Sequence, residues 1–370
     1  MAQILSDICI GGGSYGIAAS AVPYSDLLPT YLRITDINDN GTINFDGLKS
    51  VSDSNASKYY LVPNDIVFAR TGASTGRNYF YDGTDGSFVY AGFLIKFSID
   101  PDKVNPLYVK YYCQSKDYCD WVTSFNTGST RGNINAQTLG NMPIPFLPRE
   151  QQDILAATLS ALDAKVAINN KLNHNLEQTA RAIFTECFGG REPNGTLGEI
   201  AVITSGKRPS VRQAVCSAKA DIPLIGASSI MGYTNAVLYA EKILVTGRVG
   251  THGVIQRYCR PCWASDNTLV IKSDYYEFVY QQLLDVDFHN MNRGSTQPLI
   301  TQTDLKNVPI FVPPTDILID FEKICGALMA QHEVNIRDNE RLAKLREGLL
   351  PQLMSGNLRV IAGTLSNLQA

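Results

Sequence analysis

Asn126–Gln152 reads NTGSTRGNINAQTLGNMPIPFLPREQQ, and Asn292–Leu318 reads NRGSTQPLITQTDLKNVPIFVPPTDIL. The second stretch follows the first at a constant offset of 166 residues, without a gap. Gly128-Ser129-Thr130 falls on Gly294-Ser295-Thr296, Leu139 on Leu305, Asn141 on Asn307, Pro143 on Pro309 and Pro148 on Pro314. Each copy runs straight into a long helical pattern. An internal repeat of this length implies a pseudo-symmetric molecule. Such a molecule suits a partner with two similar, separated sites, of which duplex DNA is the commonest.

Working outward, six stretches follow in order. Residues 1–148 are rich in β-branched and aromatic residues, with turn signals at Asn40-Gly41, Asp82-Gly83 and Asp85-Gly86. Short strands are predicted at YLRITDI, DIVFAR and FVYAGFLIKF, and a helix near Pro106–Ser115. Residues 149–188 carry Leu155, Leu159, Leu162, Val166, Leu172, Leu176, Ala180 and Ile183 at helical spacing. About 37 helical residues would span roughly 55 Å, which suits a coiled coil better than an ordinary domain helix. Residues 189–195 read as a linker, with Gly189-Gly190 and Pro193-Asn194-Gly195 ending the helix. Residues 196–314 form a second β-rich unit. Its LGEIAVITSGKRPS echoes LSDICIGGGSYG, and its EKILVTGRVGTHGV echoes NDIVFARTGASTG. Residues 315–356 form a second long helix with Phe321, Ile324, Leu328, Leu342, Leu345 and Leu349 in its stripe, and 357–370 form a C-terminal tail.

The two helices share matched polar positions. Asn169 corresponds to Asn335 and Asn173 to Asn339, flanked by Leu162/Leu328 and Leu176/Leu342. Asn in a coiled-coil seam lowers stability but fixes register and orientation. The expected architecture is therefore α+β: two pseudo-repeated β-rich domains separated by two long helices that pair as an antiparallel coiled coil.

The bulk properties narrow the class. A chain of 370 residues can bury a core in each of two or three domains. No basic region followed by an apolar run opens the sequence, and no apolar stretch approaches membrane-spanning length, so the expectation is a cytoplasmic chain. Eight scattered Cys then read as free thiols. The net charge is −3. Residues 1–150 hold 11 Lys and Arg against 14 Asp and Glu, and residues 196–314 hold 11 against 9. Any contact with DNA must use local basic surfaces, or share the phosphate contacts with partner chains.

No catalytic constellation stands out. There is no Asp/Asn/Ser-Pro-Pro-Tyr/Phe motif for adenine methylation, no H-E-x-x-H among four His, and no G-x-S-x-G elbow. The loop Gly72–Arg77 (GASTGR) lacks the Lys of a phosphate-binding loop. Gly11–Gly16 satisfies G-x-G-x-x-G, yet Pro23 and turn residues follow too soon for the helix that a dinucleotide site needs. Cys259-Arg260-Pro261-Cys262 has no second pair to complete a zinc site and reads as two thiols in a loop.

In order and content the chain resembles the specificity (S) subunit of type I restriction–modification enzymes. NDIVFARTGASTG is similar to the family's strand and loop inside each target recognition domain. GSTRGNINAQTLGNMPIPFLPREQQDILAATLSALD is similar to its junction into a conserved spacer helix, and LREGLLPQLMSGNLRV to its C-terminal ending. The resemblance implies two target recognition domains, each reading half of a bipartite DNA site. It implies helices that space the half-sites and dock two modification (methyltransferase) subunits, with restriction (ATP-dependent translocase/nuclease) subunits completing the complex. S-adenosylmethionine, ATP and Mg would be used by those partners, leaving this chain non-catalytic and without a cofactor or metal of its own. Two other readings stay open: the specificity chain of another multi-subunit restriction–modification system, and a coiled-coil protein-interaction adaptor.

The candidate DNA contacts lie in loops. In the first unit they are Arg70, Thr71, Ser74, Thr75, Arg77, Asn126, Ser129, Thr130 and Arg131. In the second they are Lys207, Arg208, Arg212, Arg248, Thr251, His252, Arg257, Arg293, Ser295 and Thr296. Arg suits bidentate contact with guanine and Asn with adenine, while Ser, Thr and backbone N–H groups suit phosphate. The same residue types also populate plain solvated loops.

Overall fold

A computed structural model describes residues 2–125, 133–249, 253–291 and 299–355. Two compact units emerge. One comprises Met1–Ala167 with Asn339–Ala370, the other Ile168–Asp338. The boundaries fall inside the two long helices because each β-rich domain packs onto half of each helix.

In the first unit, Ser14–Tyr15, Leu94–Ser98, Asp65–Ala69 and Asn78–Tyr81 form an antiparallel sheet in that order. Ala21–Val22, Lys49–Val51, Thr30–Leu32 and Phe88–Tyr90 form a second sheet, whose last pair is parallel. Ala2–Ile4 pairs with Pro143–Pro145 and closes the domain where the chain leaves for the first long helix. The second unit repeats this plan. Val202–Ser205, Thr268–Lys272, Ile243–Gly247 and Gln256–Tyr258 make the antiparallel sheet. Ile230–Thr234, Ile222–Ile225 and Trp263–Ala264 make the mixed one, and Gly195–Thr196 pairs with Pro309–Ile310.

Two strand expectations are corrected. YLRITDI is strand only at its start; Asp36 then caps a turn through the Arg33 backbone N–H (2.8 Å) and ion-pairs with Arg33 at 2.6 Å. FVYAGFLIKF is two strands, Phe88–Tyr90 and Leu94–Ser98, split by a tight turn in which the Leu94 N–H donates to Ala91 O at 2.8 Å. The helix predicted from Pro106 is Pro106–Tyr112. Asn105 caps it by accepting from the Leu107 N–H, and Pro sits at its first position, where no N–H is needed.

The long helices run Arg149–Phe188 and Thr315–Met354. At about 1.5 Å per residue each is roughly 60 Å long. Gly190, at φ +69°, supplies the left-handed residue that ends the first. They pair antiparallel. Leu155 and Leu159 near the start of the first share a core with Leu350, Leu353 and Met354 at the end of the second. Ala180, Phe184 and Phe188 share another with Leu318, Phe321, Cys325 and Met329. Leu162 and Leu328 lie partly buried at the edges of these cores, Leu342 is buried and Leu176 half-buried.

Three residues of the expected stripe, Leu172, Ile324 and Leu345, are about half exposed. Between the two apolar cores the seam is polar. Asn335 Nδ2 donates to Asn173 Oδ1 at 2.8 Å, with both residues buried. Asn169 Nδ2 donates to Asp338 Oδ2 at 3.2 Å, and His332 Nε2 meets Glu177 Oε1 at 2.8 Å. Asn339 is half-buried in the same stretch of the second helix. Replacing Asn335 alone by Leu strands the buried Asn173 amide and should cost about 1–3 kcal/mol. Replacing both by Leu should recover that loss while weakening the register. Thermal unfolding of the two singles and the double gives the coupling; additive effects would show that the pair does not act together.

Candidate nucleic-acid interface

Arg70 and Arg248 end the central strands of the two antiparallel sheets, and their main chains are held alike. The Arg70 N–H donates to Phe93 O at 3.1 Å, and its carbonyl accepts from the Ile134 N–H at 2.9 Å. The Arg248 N–H donates to Asn267 O at 2.8 Å, and its carbonyl accepts from the Ile300 N–H at 3.0 Å. Thr71 bridges to Asn133 as Val249 does to Leu299.

Each frame also holds a glycine that admits no side chain. A Cβ on Gly16 would sit 2.3 Å from the carbonyl oxygens of both Tyr90 and Ala91. One on Gly206 would sit 2.1 Å from Ser265 O and 2.5 Å from Ala264 O. The Gly16 N–H donates to Leu94 O at 3.2 Å, and the Gly206 N–H to Thr268 O at 3.1 Å. Gly16, the last glycine of G-x-G-x-x-G, thus serves a close approach of two backbones. The following segment, Ala21–Val22, is strand, so no helix follows to bind a pyrophosphate.

The side chains on this common frame differ. In the first unit the Arg70 guanidinium lies over the Tyr15 ring at 5.1 Å, and its Nε is buried with no hydrogen-bond partner among the described residues. Tyr15 is 42% exposed, and its hydroxyl accepts from the Ala136 N–H at 3.2 Å. Phe93, at the tip of the turn, is 57% exposed. In the second unit Ser205 replaces Tyr15 and accepts from Gln302 Nε2 at 2.9 Å, while an exposed Asn267 replaces Phe93.

The remaining candidates are distributed as follows. Ser74 is buried, and Thr75 Oγ1 donates to Gly72 O at 2.8 Å, folding the loop upon itself. Arg77 is tied down by Asp39 Oδ1 at 2.6 Å and Ile37 O at 3.2 Å. Lys207 and Arg208 are exposed on one strand end, where Lys207 O accepts from Trp263 Nε1 at 2.7 Å. Arg212 is exposed and reaches Met231 O at 3.4 Å. Arg257 faces inward. Its guanidinium donates from Nη2 to Glu277 Oε1 at 2.8 Å, holds Nη1 2.6 Å from Oε2 as an ion pair, and stacks on Tyr276 and Tyr280 at 5.2 and 4.5 Å. Burial disfavours its charge, but the Glu277 carboxylate outweighs burial and holds the guanidinium above its usual pKa. Arg257 therefore occupies a structural position. Asn126, Ser129, Thr130, Arg131, Thr251, His252, Arg293, Ser295 and Thr296 lie outside the described residues.

Sequence reasoning missed Tyr15, Phe93 and Asn267. Residue type alone does not separate Tyr15 and Phe93 from the core of a β-rich stretch, or Asn267 from a plain turn. Cys262 is buried and its thiol is pushed up to about 11; burial likewise raises Cys259, as expected of plain thiols. Among the described residues no group of three His, Cys, Asp or Glu could hold a metal ion, and no helix is long and apolar enough to cross a membrane.

The profile of the family described as the type I restriction modification DNA specificity domain matches residues 29–178 and 193–335, one match to each copy of the repeat. The chain is 23% identical over 308 residues to the type I restriction enzyme MjaIX specificity subunit of Methanocaldococcus jannaschii, covering 71% of each chain. Its fold is similar to a crystal structure of the type I restriction–modification S subunit from M. genitalium, with a TM-score of 0.62, 16% identity and 95% of both chains covered. The two matched segments together span most of the sequence, and this chain belongs to the type I restriction–modification DNA specificity family.

Proposed function

We propose that the chain is the non-catalytic, DNA-reading subunit of a cytoplasmic type I restriction–modification complex. Its β-rich domains, 1–148 and 196–314, each read half of a bipartite duplex site. The helices 149–188 and 315–356 space the half-sites and dock two modification subunits, and restriction subunits complete the assembly. Methyl transfer from S-adenosylmethionine and ATP- and Mg-dependent cleavage belong to those partners. The observation that carries this reading is the doubled arginine frame: one backbone scaffold is built twice, with different side chains at the same exposed places. A molecule that reads two different half-sites needs that combination.

Methylome sequencing tests it. A host carrying this chain and its neighbouring modification subunit is compared with one lacking only this chain. The expected result is an asymmetric bipartite methylation motif that vanishes with the chain. An unchanged methylome, with active modification subunits present, sinks the reading and favours a protein-binding adaptor.

Spacing gives a second expectation. Half-sites on one duplex face lie about one helical turn, or 34 Å, apart. Removing one turn from both long helices shortens each by about 5.4 Å, or between one and two base-pair steps at roughly 3.4 Å each. The accepted spacing should shorten while both half-site sequences persist. A changed half-site with unchanged spacing would contradict the spacer role.

A further inference from the structure

We propose that the tight turn between the two strands joined at Ala91–Phe93, and its counterpart at Ser265–Asn267, is a sequence-reading position, while Arg70 and Arg248 beside it hold the DNA backbone. The inference rests on the DNA-reading function proposed above and divides the labour within it. Phe93 reads in the first unit and Asn267 in the second.

The division follows from what the repeat keeps and what it changes. Four backbone hydrogen bonds recur: residue 16 or 206 to 94 or 268, 94 or 268 to 91 or 265, 70 or 248 to 93 or 267, and 134 or 300 to 70 or 248. The glycine under the turn recurs as well, its Cα against two successive carbonyls, so the turn rests on a rigid platform. Arginine is the side chain that both units keep. A contact common to two different half-sites can carry no sequence difference, which suits phosphate. In the first unit the guanidinium is pre-oriented by the Tyr15 ring.

The turn-tip residue is what differs. Phe93 leaves more than half its surface in solvent, although Phe68, Phe80, Phe88 and Phe97 of the same domain are buried. A phenyl group so placed contributes little to the core. Its main chain is clamped by Arg70, so it projects from a fixed point. The apolar ring suits the methyl group of thymine in the major groove. Asn267 projects from the same point of the second unit, and its amide suits the paired donor and acceptor of adenine. The two tips thus present different chemistry from equivalent places.

The test is methylome sequencing with the modification subunit present, for Phe93→Ala, Asn267→Ala, Arg70→Ala and Arg248→Ala. Phe93→Ala should relax one thymine-bearing position of one half-site, with preference there falling roughly 5- to 150-fold, and leave the other half-site intact. Asn267→Ala should do the same at one position of the other half-site. Each arginine variant should lower methylation at all sites together and leave the motif unchanged. A motif unaltered by both tip variants, or altered in both half-sites by one of them, overturns the assignment. If Phe93→Ala abolishes methylation, Phe93→Leu decides. Methylation with an altered motif supports the assignment; no methylation in a variant that melts at the wild-type temperature overturns it. A wild-type chain that yields no bipartite motif refutes the specificity reading itself, before any variant is made.

Discussion

Glu277→Ala is expected to destabilise the second unit by about 3–5 kcal/mol, because it leaves a guanidinium buried without its counter-charge. Arg257 and Glu277 expose only 10% and 4% of their side chains. One hydrogen bond, from Arg257 Nη2 to Glu277 Oε1 at 2.8 Å, and an ion-pair contact of Nη1 with Oε2 at 2.6 Å join them, and the Tyr276 and Tyr280 rings flank the guanidinium. Water cannot replace the lost carboxylate in that setting. At about 2–4 °C per kcal/mol for a unit of this size, the melting temperature should fall by roughly 10 °C. Arg257→Met combined with Glu277→Leu should come much closer to wild type, since removing both charges also removes their desolvation penalty. A loss below about 1 kcal/mol for Glu277→Ala would show that solvent reaches the guanidinium. The pair anchors the strand Gln256–Tyr258 to the helix Tyr276–Leu284.

How much of this was legible in the sequence depends on how each feature is encoded. The helix pair was readable because long stripes of Leu and two matched Asn pairs repeat at one offset. The burial of Asn173 against Asn335 follows from the same pattern. The exposure of Ile324 and Leu345 did not, and beside Leu172 the polar residues Asn169, Asn173, His332 and Asn335 occupy the seam where a stripe count places apolar ones.

The arginine frame was only half visible. Its parts recur at changing separations: Gly16 and Gly206 are 190 residues apart, Arg70 and Arg248 178, Phe93 and Asn267 174, Ile134 and Ile300 166. Loops of different length cause the drift, so a single-offset comparison finds only the last segment. Pairing NDIVFAR with EKILVTGR does single out Arg70 and Arg248. Nothing in one sequence marks Phe93 as exposed, because exposure depends on the turn that splits FVYAGFLIKF. Arg257 illustrates the opposite error. Read as a basic residue in a loop, it suits DNA, but it lies on a strand that faces a buried glutamate.

Phe278→Ala should cost about as much, 3–5 kcal/mol, through packing instead of charge. Phe278 is wholly buried, and its ring sits 5.1 Å from Phe188, 5.7 Å from Phe184 and 6.1 Å from Phe321, mostly edge to face. Phe184 and Phe188 come from the first long helix and Phe321 from the second, so one side chain ties the recognition domain's helix to both. Deleting the ring leaves a cavity that three rigid aromatics cannot collapse to fill. Phe278→Leu keeps most of the volume and should lose much less. The neighbouring backbone is fixed independently: the N–H groups of Glu277 and Phe278 donate to the Glu322 carboxylate at 3.1 and 2.8 Å, and neither substitution removes them. The helix should therefore stay in place while its packing weakens. In the first unit the corresponding residue is Tyr108, fully buried, whose hydroxyl donates to Pro145 O at 2.7 Å. There a hydrogen bond to the strand leading into the long helix does part of the work that the phenyl cluster does alone in the second. Denaturant unfolding of Phe278→Ala and Phe278→Leu separates the terms. Equal losses would mean that the ring contacts, and not the volume, hold the domain to its helices; a small loss for both would mean that the cluster re-packs and that the domain is held elsewhere.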